Sequence, residues 1–276
     1  MTKAKRPVLV IGSSGMLGST VATYLDSVDV PFHAIDRSDM DLSTCSYKAI
    51  TNLLGSTNPG YVINCAGIIR QRTDATMDEM VSVNALFPQR VANACEVKGV
   101  KLLHISTDCV FDGSKGGYTE DDRPTPVDAY ALTKLCGEPP NCMVIRTSII
   151  GEEQRNKLSL LEWVKERAGQ TIHGFTNHKW NGITTLQLAQ VLDVVMFYDL
   201  YHVGIVHVHG ETVTKCELVE LINEVYQLGC TVTPTRAPVS IDRTLSTTLP
   251  VFADVTPLAS QVIELMQFWQ AANFTT

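Results

Sequence analysis

The chain has 276 residues, of which 45% are hydrophobic and 18% are charged, a balance typical of a globular protein with a sizeable core. Its 22 basic and 29 acidic residues give a formal net charge of −7, which argues against a broad basic surface for nucleic acid. There is no apolar run of membrane-spanning length and no CxxC pair among the eight cysteines, so we expect a cytoplasmic protein with reduced thiols, no membrane segment and no metal site.

The first half of the chain alternates between short apolar runs and segments with helical spacing. Strands are predicted at 7–12, 31–36, 61–67, 101–106 and 142–151. Helices are predicted between them at 16–27, 47–55, 77–99 and 130–137. The long helix should bend near Pro88. Apolar strands that alternate with helices favour an α/β fold with a parallel sheet covered on both faces.

The second half is less regular. Helices are predicted at 158–169, 185–198, 215–229 and 257–272, with one strand at 204–210. The polar, aromatic segment 174–185 is predicted to be a loop with functional potential. The Thr- and Pro-rich segment 231–250 shows no clear period, so no element is predicted there.

A glycine-rich turn, IGSSGMLGS, follows the first predicted strand and opens the first predicted helix. In such a turn Gly12 permits the tight bend, Gly15 lets the backbone approach a pyrophosphate, and Gly18 lets the helix pack on the sheet. The helix N-terminus adds N–H groups and partial positive charge. We therefore predict a dinucleotide site lined by Gly12, Ser13, Ser14, Gly15, Met16, Leu17 and Gly18. The alternative is a tight turn without a ligand.

The second predicted strand ends at Asp36, followed by Arg37 and Ser38. An acid at this place binds the adenosine ribose hydroxyls and favours NADH, whereas Arg and Ser suit the extra phosphate of NADPH. We favour NADPH, because Arg37 and Ser38 have no other evident task, and keep NADH as the alternative.

Three candidate catalytic residues follow the fourth predicted strand. Thr107 ends that strand, Tyr130 opens the next helix, and Lys134 lies one turn later on the same helix face. Strand ends and the following helix meet above the cofactor crevice in a doubly wound sheet. A phenol would exchange a proton with a carbonyl or alcohol oxygen, a hydroxyl would hold that oxygen, and the lysine charge is expected to lower the pKa of Tyr130.

These motifs together resemble the extended short-chain dehydrogenase/reductase family. They are GSSGMLG, NCAG, STD and YALTK. Within the family, INCAGIIRQ, HISTDCVFDG, GGYTEDDRPTP, IRTSIIG and KWNGITT resemble the dTDP-4-dehydrorhamnose reductase branch. The block from Arg146 to Ala189 is similar to reductases of UDP-linked 2-acetamido-2,6-dideoxy-4-keto-hexoses in rhamnosamine and quinovosamine type pathways.

The resemblance implies a Rossmann-type doubly wound sheet in residues 1–150 and a smaller, mainly substrate-binding domain in 151–276, with elements at about 184–210 returning to the sheet. It implies an NAD(P)H-dependent 4-keto reductase of a UDP- or dTDP-linked 6-deoxy sugar, and it permits a homodimer. Thr107, Tyr130 and Lys134 would be the catalytic set. Further cofactor contacts would be Asp41, Leu42, Cys65, Ala66 and Gly67. Substrate contacts would include Asn84, Cys109, Val110 and Phe111.

Other substrate candidates come from residue type alone. Trp180 could stack on a base or sugar, with Lys179 and Asn181 beside it, or could simply anchor its loop. Arg70 and Arg243 are candidate diphosphate ligands, with surface salt bridges as the alternative.

One departure from the resemblance concerns Cys109. Sugar-nucleotide dehydratases carry an Asp–Glu pair after the strand-four threonine, and the pair here is Asp108–Cys109, which argues against dehydration. A cysteine at this place resembles the 3-epimerase/4-reductases, where it shuttles a proton beside the ketone. Their second acid/base position falls near Leu160 here, so Lys157, His173 or His178 would have to substitute. A non-catalytic thiol is the favoured interpretation of Cys109.

A different class of function also fits the resemblance. The regulatory β subunit of methionine adenosyltransferase resembles the same branch and binds a dinucleotide. The intact Thr–Tyr–Lys set favours the enzyme.

Overall fold

A six-stranded parallel sheet forms the centre of the computed structural model, which describes residues 6–252 and 255–274. The strands are β1 Val8–Ile11, β2 Phe32–Ile35, β3 Tyr61–Asn64, β4 Lys101–Ile105, β5 Met143–Arg146, β6 Ile149–Ile150, β7 Thr171–Phe175, β8 His178–Trp180, β9 Ile183–Thr184, β10 Gly204–His207, β11 Val213–Thr214, β12 Thr231–Thr235 and β13 Ile241–Asp242. The α-helices are α1 Met16–Ser27, α2 Tyr47–Thr57, α3 Met77–Met80, α4 Phe87–Lys98, α5 Ala129–Cys136, α6 Leu160–Lys165, α7 Thr185–Phe197, α8 Lys215–Val225 and α9 Leu258–Phe274.

The large sheet has the order β10-β5-β4-β3-β1-β2, and every neighbouring pair is parallel. The chain leaves β1 towards β2 on one side and then returns to β3 on the other. A crevice therefore opens at the carboxyl ends of β1 and β3, which is where doubly wound folds bind ligands. The predicted α/β Rossmann-type fold is confirmed, and β10 from the second half of the chain completes the sheet beside β5.

Helices cover both faces of this sheet. Helices α1 and α7 pack on one face, where Leu17 and Val21 join Leu188 and Leu192 in a buried cluster. Helices α2 and α4 pack on the opposite face. Because both faces are covered, the inner strands of the sheet are largely buried and mostly apolar, as the sequence pattern indicated, whereas the edge strand β2 leaves His33 and Ala34 exposed.

The second half builds small sheets that its sequence pattern did not reveal. Strand β8 lies between β11 and β13, β12 pairs with β7, and β6 pairs with β9. The prediction of a loop at 174–185 is therefore wrong, and 231–250 contains two strands. These strands are short and are defined by partners distant in sequence, so local periodicity carries little signal for them.

The long helix predicted at 77–99 is continuous but changes its hydrogen bonding before Pro88. Residues Val81–Leu86 form a π-helical segment between α3 and α4. Pro88 has no N–H to donate to the carbonyl of Asn84, four residues earlier. Gly137 packs against that carbonyl so closely that an added Cβ would lie 1.7 Å from the oxygen. The widened turn before Pro88 lets another element approach Asn84.

Three further findings bear on the predictions. The eight cysteines are all free thiols. Within the described residues, no cluster of His, Cys, Asp and Glu has the arrangement of a metal site. In the same part of the chain, no helix has the length and apolar character needed to cross a membrane.

Candidate active site

The glycine turn between β1 and α1 is packed so tightly that two of its glycines tolerate no side chain. Gly12 has φ +82°, and a Cβ there would lie 2.8 Å from Cα of Ala66. A Cβ on Gly18 would lie 2.1 Å from the carbonyl oxygen of Gly12. Gly15 is the N-cap of α1 and supplies no side-chain acceptor, so the N–H groups of the first turn keep their capacity for an anion. The turn therefore has the form that a dinucleotide pyrophosphate requires.

The end of β2 carries an ionised carboxylate. Asp36 accepts hydrogen bonds from the N–H (2.8 Å) and hydroxyl (2.6 Å) of Ser38, and these bonds hold its pKa below the ordinary value. Arg155 reaches Asp36 at 3.4 Å, and Arg37 pairs with Glu79 at 3.6 Å. Arg37 and Ser38 thus have protein partners, so the argument for NADPH from their lack of a task no longer holds. Arg155, which the sequence did not single out, brings a second guanidinium to this place.

The other predicted cofactor residues divide into two groups. Asp41 accepts hydrogen bonds from Ser43 in an exposed turn, and Leu42 packs on the core beneath it. Cys65, Ala66 and Gly67 follow β3 and border the crevice beside the glycine turn.

Tyr130 is held by the way its helix begins. Asp128 is the N-cap of α5, and its carboxylate accepts a hydrogen bond of 2.8 Å from the N–H of Ala131. Arg70 forms an ion pair with the same carboxylate, so it ties the segment after β3 to the start of α5. This pair corresponds to the salt-bridge alternative for Arg70, and it places a cation near the phenol.

Thr107 and Tyr130 meet at the end of β4. The hydroxyl of Thr107 lies beside the phenol of Tyr130, and this polar neighbour favours the phenolate. Burial nevertheless outweighs it and raises the pKa of Tyr130. The prediction that the pKa of Tyr130 is lowered is therefore wrong for the protein alone. A raised pKa keeps the phenol protonated, which suits a proton donor.

Lys134 is buried below the phenol on the same helix face. Its Nζ donates a hydrogen bond of 2.7 Å to the carbonyl of Ile105, at the end of β4, and lies 3.9 Å from the position of a Cβ on Gly67. Burial lowers the pKa of Lys134 to about 8, against the opposing effect of Glu138. The ammonium group thus stands between the ends of β3 and β4, at the edge of the crevice.

Several predicted substrate contacts are corrected. Val110 and Phe111 have no exposed surface, and Phe111 stacks on Tyr118 at 4.2 Å between ring centres. Asn84 is also fully buried, and its amide bonds to the backbone of Ile68 and the hydroxyl of Thr133. These side chains hold the walls of the site in place and leave no surface for a ligand.

The second-half candidates are likewise engaged within the protein. Trp180 is 4% exposed, and its indole N–H donates to the hydroxyl of Ser148 at 2.8 Å, so it anchors β8 and is not open for stacking. Asn181 exchanges two hydrogen bonds with the backbone of Leu245. Lys179 pairs with Asp242 at 3.0 Å on the surface. The predicted substrate roles of Trp180 and Asn181 are therefore corrected.

Arg243 and Cys109 remain beside the catalytic residues. Arg243 donates from Nε to the carbonyl of Phe111 at 2.8 Å, and its charge acts on Asp108 and Cys109. Cys109 is half-buried, and burial together with the Asp108 carboxylate raises the pKa of its thiol to about 12. A neutral thiol is a poor base, which supports the non-catalytic interpretation.

Two of the three proposed substitutes for a second acid/base have partners elsewhere. His173 bonds to Thr235, and His178 bonds to the carbonyl of Val239. Lys157 lines a cleft of about 420 Å³ whose other residues are Glu152, Glu153, Gln154, Glu162, Lys165 and Glu166.

Two features of the site went unnoticed in the sequence. Glu138 and Arg146 form a buried bidentate ion pair at 2.7 and 2.9 Å, and Ser106 donates to the same carboxylate at 2.6 Å. Lys215, at the start of α8, lies near Asp108 and Cys109. Glu138 lies one helical turn after Lys134, and this spacing was the only hint in the sequence that Glu138 lies near the site. Nothing local in the sequence links Lys215 to the site.

Comparison with known proteins places the chain in a family. The family model described as RmlD substrate binding domain matches residues 6–240. The chain belongs to this family. It is 30% identical over 196 residues to a dTDP-4-keto-6-deoxy-D-glucose reductase of Streptomyces niveus, an alignment that covers 66% of each chain.

Two other similar proteins indicate the range of the family. A crystal structure of dTDP-4-dehydrorhamnose reductase from Bacillus anthracis in complex with NADP superimposes with a TM-score of 0.81 and 19% identity, covering 95% of this chain and 99% of that one. Methionine adenosyltransferase 2 subunit beta of Danio rerio is 29% identical over 189 residues, covering 59% of this chain and 54% of that protein. With its family membership and site, the protein is a sugar-nucleotide reductase.

The residues of the crevice fit a nicotinamide dinucleotide. The first turn of α1 has no side-chain cap on its N–H groups, the Asp36 carboxylate stands just after β2, and the Lys134 ammonium stands beside Gly67.

Proposed function

We propose that the protein reduces the C4 ketone of a nucleotide-diphospho-6-deoxy-4-keto-hexose to an alcohol. The observation that carries this proposal is the convergence of Thr107, Tyr130 and Lys134 at the end of β4, beside the glycine turn. A protonated phenol, a hydroxyl and an ammonium group are together suited to a carbonyl that gains a proton as it is reduced.

Each residue has a distinct task in the proposed reaction. Bound NAD(P)H supplies the hydride. Tyr130 donates its phenolic proton to the C4 oxygen, while the hydroxyl of Thr107 holds that oxygen in place. Lys134 holds the nicotinamide ribose, and its charge stabilises the phenolate left after proton donation. Arg70 keeps the phenol in position through the Asp128 cap.

We further propose that the substrate is UDP-2-acetamido-2,6-dideoxy-L-hexos-4-ulose. The support is the similarity of the block from Arg146 to Ala189 to reductases of such sugars. The Streptomyces niveus relative is named for a dTDP-linked substrate, so the two nucleotides have to be compared directly. For the cofactor we propose NADPH, supported by two guanidinium groups, Arg37 and Arg155, near Asp36.

The test is oxidation of NADPH and NADH by the pure protein, with freshly made UDP- and dTDP-linked 4-keto-6-deoxy sugars. We expect turnover with the UDP-linked acetamido sugar. We also expect a loss of about 100-fold or more in kcat for Tyr130→Phe, with unchanged cofactor binding. Turnover that survives in Tyr130→Phe would contradict the mechanism.

The same assay tests the two alternatives. Run in deuterium oxide, a 3-epimerase step through Cys109 would place deuterium on carbon 3 of the product. Tight dinucleotide binding without oxidation of any substrate would contradict the reductase proposal. It would favour a regulatory role like that of the methionine adenosyltransferase β subunit, which binding to a catalytic subunit would then test.

A further inference from the structure

The end of α5 is tied to the end of β4 by a hydrogen bond that the proposed mechanism does not use. The hydroxyl of Ser106, the first residue after β4, donates to the carboxylate of Glu138 at 2.6 Å. Glu138 lies two residues beyond the end of α5 and four residues after Lys134. Ser106 in turn immediately precedes Thr107 in the chain. The bond therefore joins the two segments that carry the catalytic residues.

The carboxylate of Glu138 is itself held by a third segment. Arg146 in β5 donates from Nε to one of its oxygens at 2.9 Å and from Nη2 to the other at 2.7 Å. The fork of a guanidinium group fixes both the position and the plane of a carboxylate. Arg146 and Ser106 are only 3% and 5% exposed, so water has little access to these bonds. Ser106 thus meets an acceptor whose place is set by the central sheet.

A second bond between the same two segments is less rigid. The Nζ of Lys134 donates to the carbonyl of Ile105, but it does so from the end of a flexible stem of four carbons. In the proposed function this ammonium group also holds the nicotinamide ribose, so its position should adjust as the cofactor binds. The bond from Ser106 to Glu138 has no part in that binding, and it can hold α5 in place throughout the reaction.

Stability alone explains this buried ion pair poorly. Burying two charges costs solvation energy that their attraction only partly returns, and apolar side chains often serve a core equally well. The pair does provide a fixed geometry beside α5. The opposite side of the helix end is closely fitted too, since a Cβ on Gly137 would lie 1.7 Å from the carbonyl oxygen of Asn84. The end of α5 is therefore located from two directions.

We propose that Ser106 and Glu138 are positioning residues for the reduction, an inference that rests on the proposed function. Their hydrogen bond holds α5 against the end of β4 and so keeps the phenol of Tyr130 beside the hydroxyl of Thr107. Without it, the helix and the strand end can shift relative to each other. A misplacement of roughly 1 Å can slow a positioned reaction by about 100-fold. Neither positioning residue contacts the substrate or transfers a proton.

The test uses Ser106→Ala, which removes the donor and leaves the pair of Glu138 and Arg146 intact. Thr247→Val is the matched control, because the hydroxyl of Thr247 also donates to a carboxylate, that of Glu120, at 2.6 Å. Both variants are also combined with Tyr130→Phe. The measurements are kcat and KM for the ketone, the Kd for NADPH by fluorescence titration, and amide hydrogen exchange of residues 129–138.

Ser106→Ala should lower kcat by about tenfold, whereas KM and the Kd for NADPH should change by less than about twofold. In the Tyr130→Phe background the same substitution should cost nothing further, because a phenol that is absent cannot be misplaced. Hydrogen exchange of residues 129–138 should become faster in Ser106→Ala. Thr247→Val should match the wild type in kcat and in the exchange of this segment.

Four results would overturn the proposal. One is an unchanged kcat in Ser106→Ala. Another is an equal loss of kcat in Thr247→Val, which would mean that the hydroxyl acts only through general stability. The third is a full loss in the Tyr130→Phe background, which would mean that Ser106 acts independently of the phenol. The fourth is unchanged hydrogen exchange of residues 129–138 in Ser106→Ala.

The hydrogen exchange measurement also separates this proposal from the reductase proposal. Unchanged exchange in Ser106→Ala would contradict the tie between α5 and β4 whether or not the wild type turns over. Faster exchange together with an inactive wild type would confirm the tie but contradict the reductase, and the role in positioning a reaction would fall with it.

Discussion

The two sides of the active-site crevice are built in different ways. On the cofactor side, backbone geometry determines the site, because Gly12 and Gly18 leave no room for a Cβ and α1 begins without a side-chain cap. On the substrate side, charged side chains from separate segments meet around Asp108, among them Lys215 and Arg243. The first arrangement follows from one continuous stretch of chain, and the second depends on how distant segments pack.

This difference explains what each side tolerates. A backbone cradle fails when any side chain is added, since the obstruction is the main chain itself. Binding to a cluster of side chains should weaken gradually as single residues are substituted, because the loss of one charge leaves the surrounding residues in place. Substitutions that act on only one side can therefore show whether the two sides are independent.

The largest effect on cofactor binding is expected from Gly18→Ala. The new Cβ would lie 2.1 Å from the carbonyl oxygen of Gly12, so the glycine turn has to move. We expect NADPH binding to weaken by about 100-fold or more, measured by fluorescence titration. Gly55→Ala in α2 is the control, because no atom lies within 4 Å of its added Cβ, and it should stabilise the fold by up to about 1 kcal/mol. Normal binding in Gly18→Ala would show that the cradle is more adaptable than its geometry indicates.

A second substitution tests the support that both sides share. Glu138→Gln removes the carboxylate that pairs with buried Arg146 and accepts from Ser106, and the guanidinium is then left without its counter-ion. We expect a loss of about 3–5 kcal/mol in the free energy of unfolding, measured in urea. The exposed pair of Lys115 and Asp122 offers a contrast, since Lys115→Met should cost less than about 1 kcal/mol. Equal losses in the two variants would contradict this account.

The contrast between the two sides also marks what the sequence could predict. The glycine turn, the parallel sheet and the segment from Tyr130 to Lys134 are defined by local spacing, and the sheet was recovered from its apolar strands. Strands β7, β8, β12 and β13 were missed, because their partners lie far away in sequence. For Trp180 the sequence left both ligand stacking and loop anchoring open, because a sequence does not show that its ring is covered by Lys215.

The effects of burial on polar side chains were the hardest feature to predict. The direction of the pKa of Tyr130 was mispredicted, because the charge of Lys134 was considered and the burial of the phenol was not. Asn84 was taken for a substrate contact, yet the π-helical turn before Pro88 directs it into the protein. In both cases the outcome depended on packing around the residue and not on its type.

The smaller of the two effects on stability is expected in the pH dependence of Lys134→Met. Below pH 8 the folded protein carries a buried ammonium group at Lys134, which costs stability. Its pKa is about 8 in the folded state against an ordinary value of 10.5, so the unfolded chain binds more protons between these values. Stability due to Lys134 therefore rises as the pH increases from about 8 to 10.5. The difference in unfolding free energy between wild type and Lys134→Met should grow in favour of wild type by roughly 3 kcal/mol over that window. Urea unfolding at each pH measures it, with Lys48→Met as the control for an exposed lysine. If the difference in unfolding free energy does not change with pH, the crevice solvates Lys134 well. The cofactor side would then depend on backbone geometry alone.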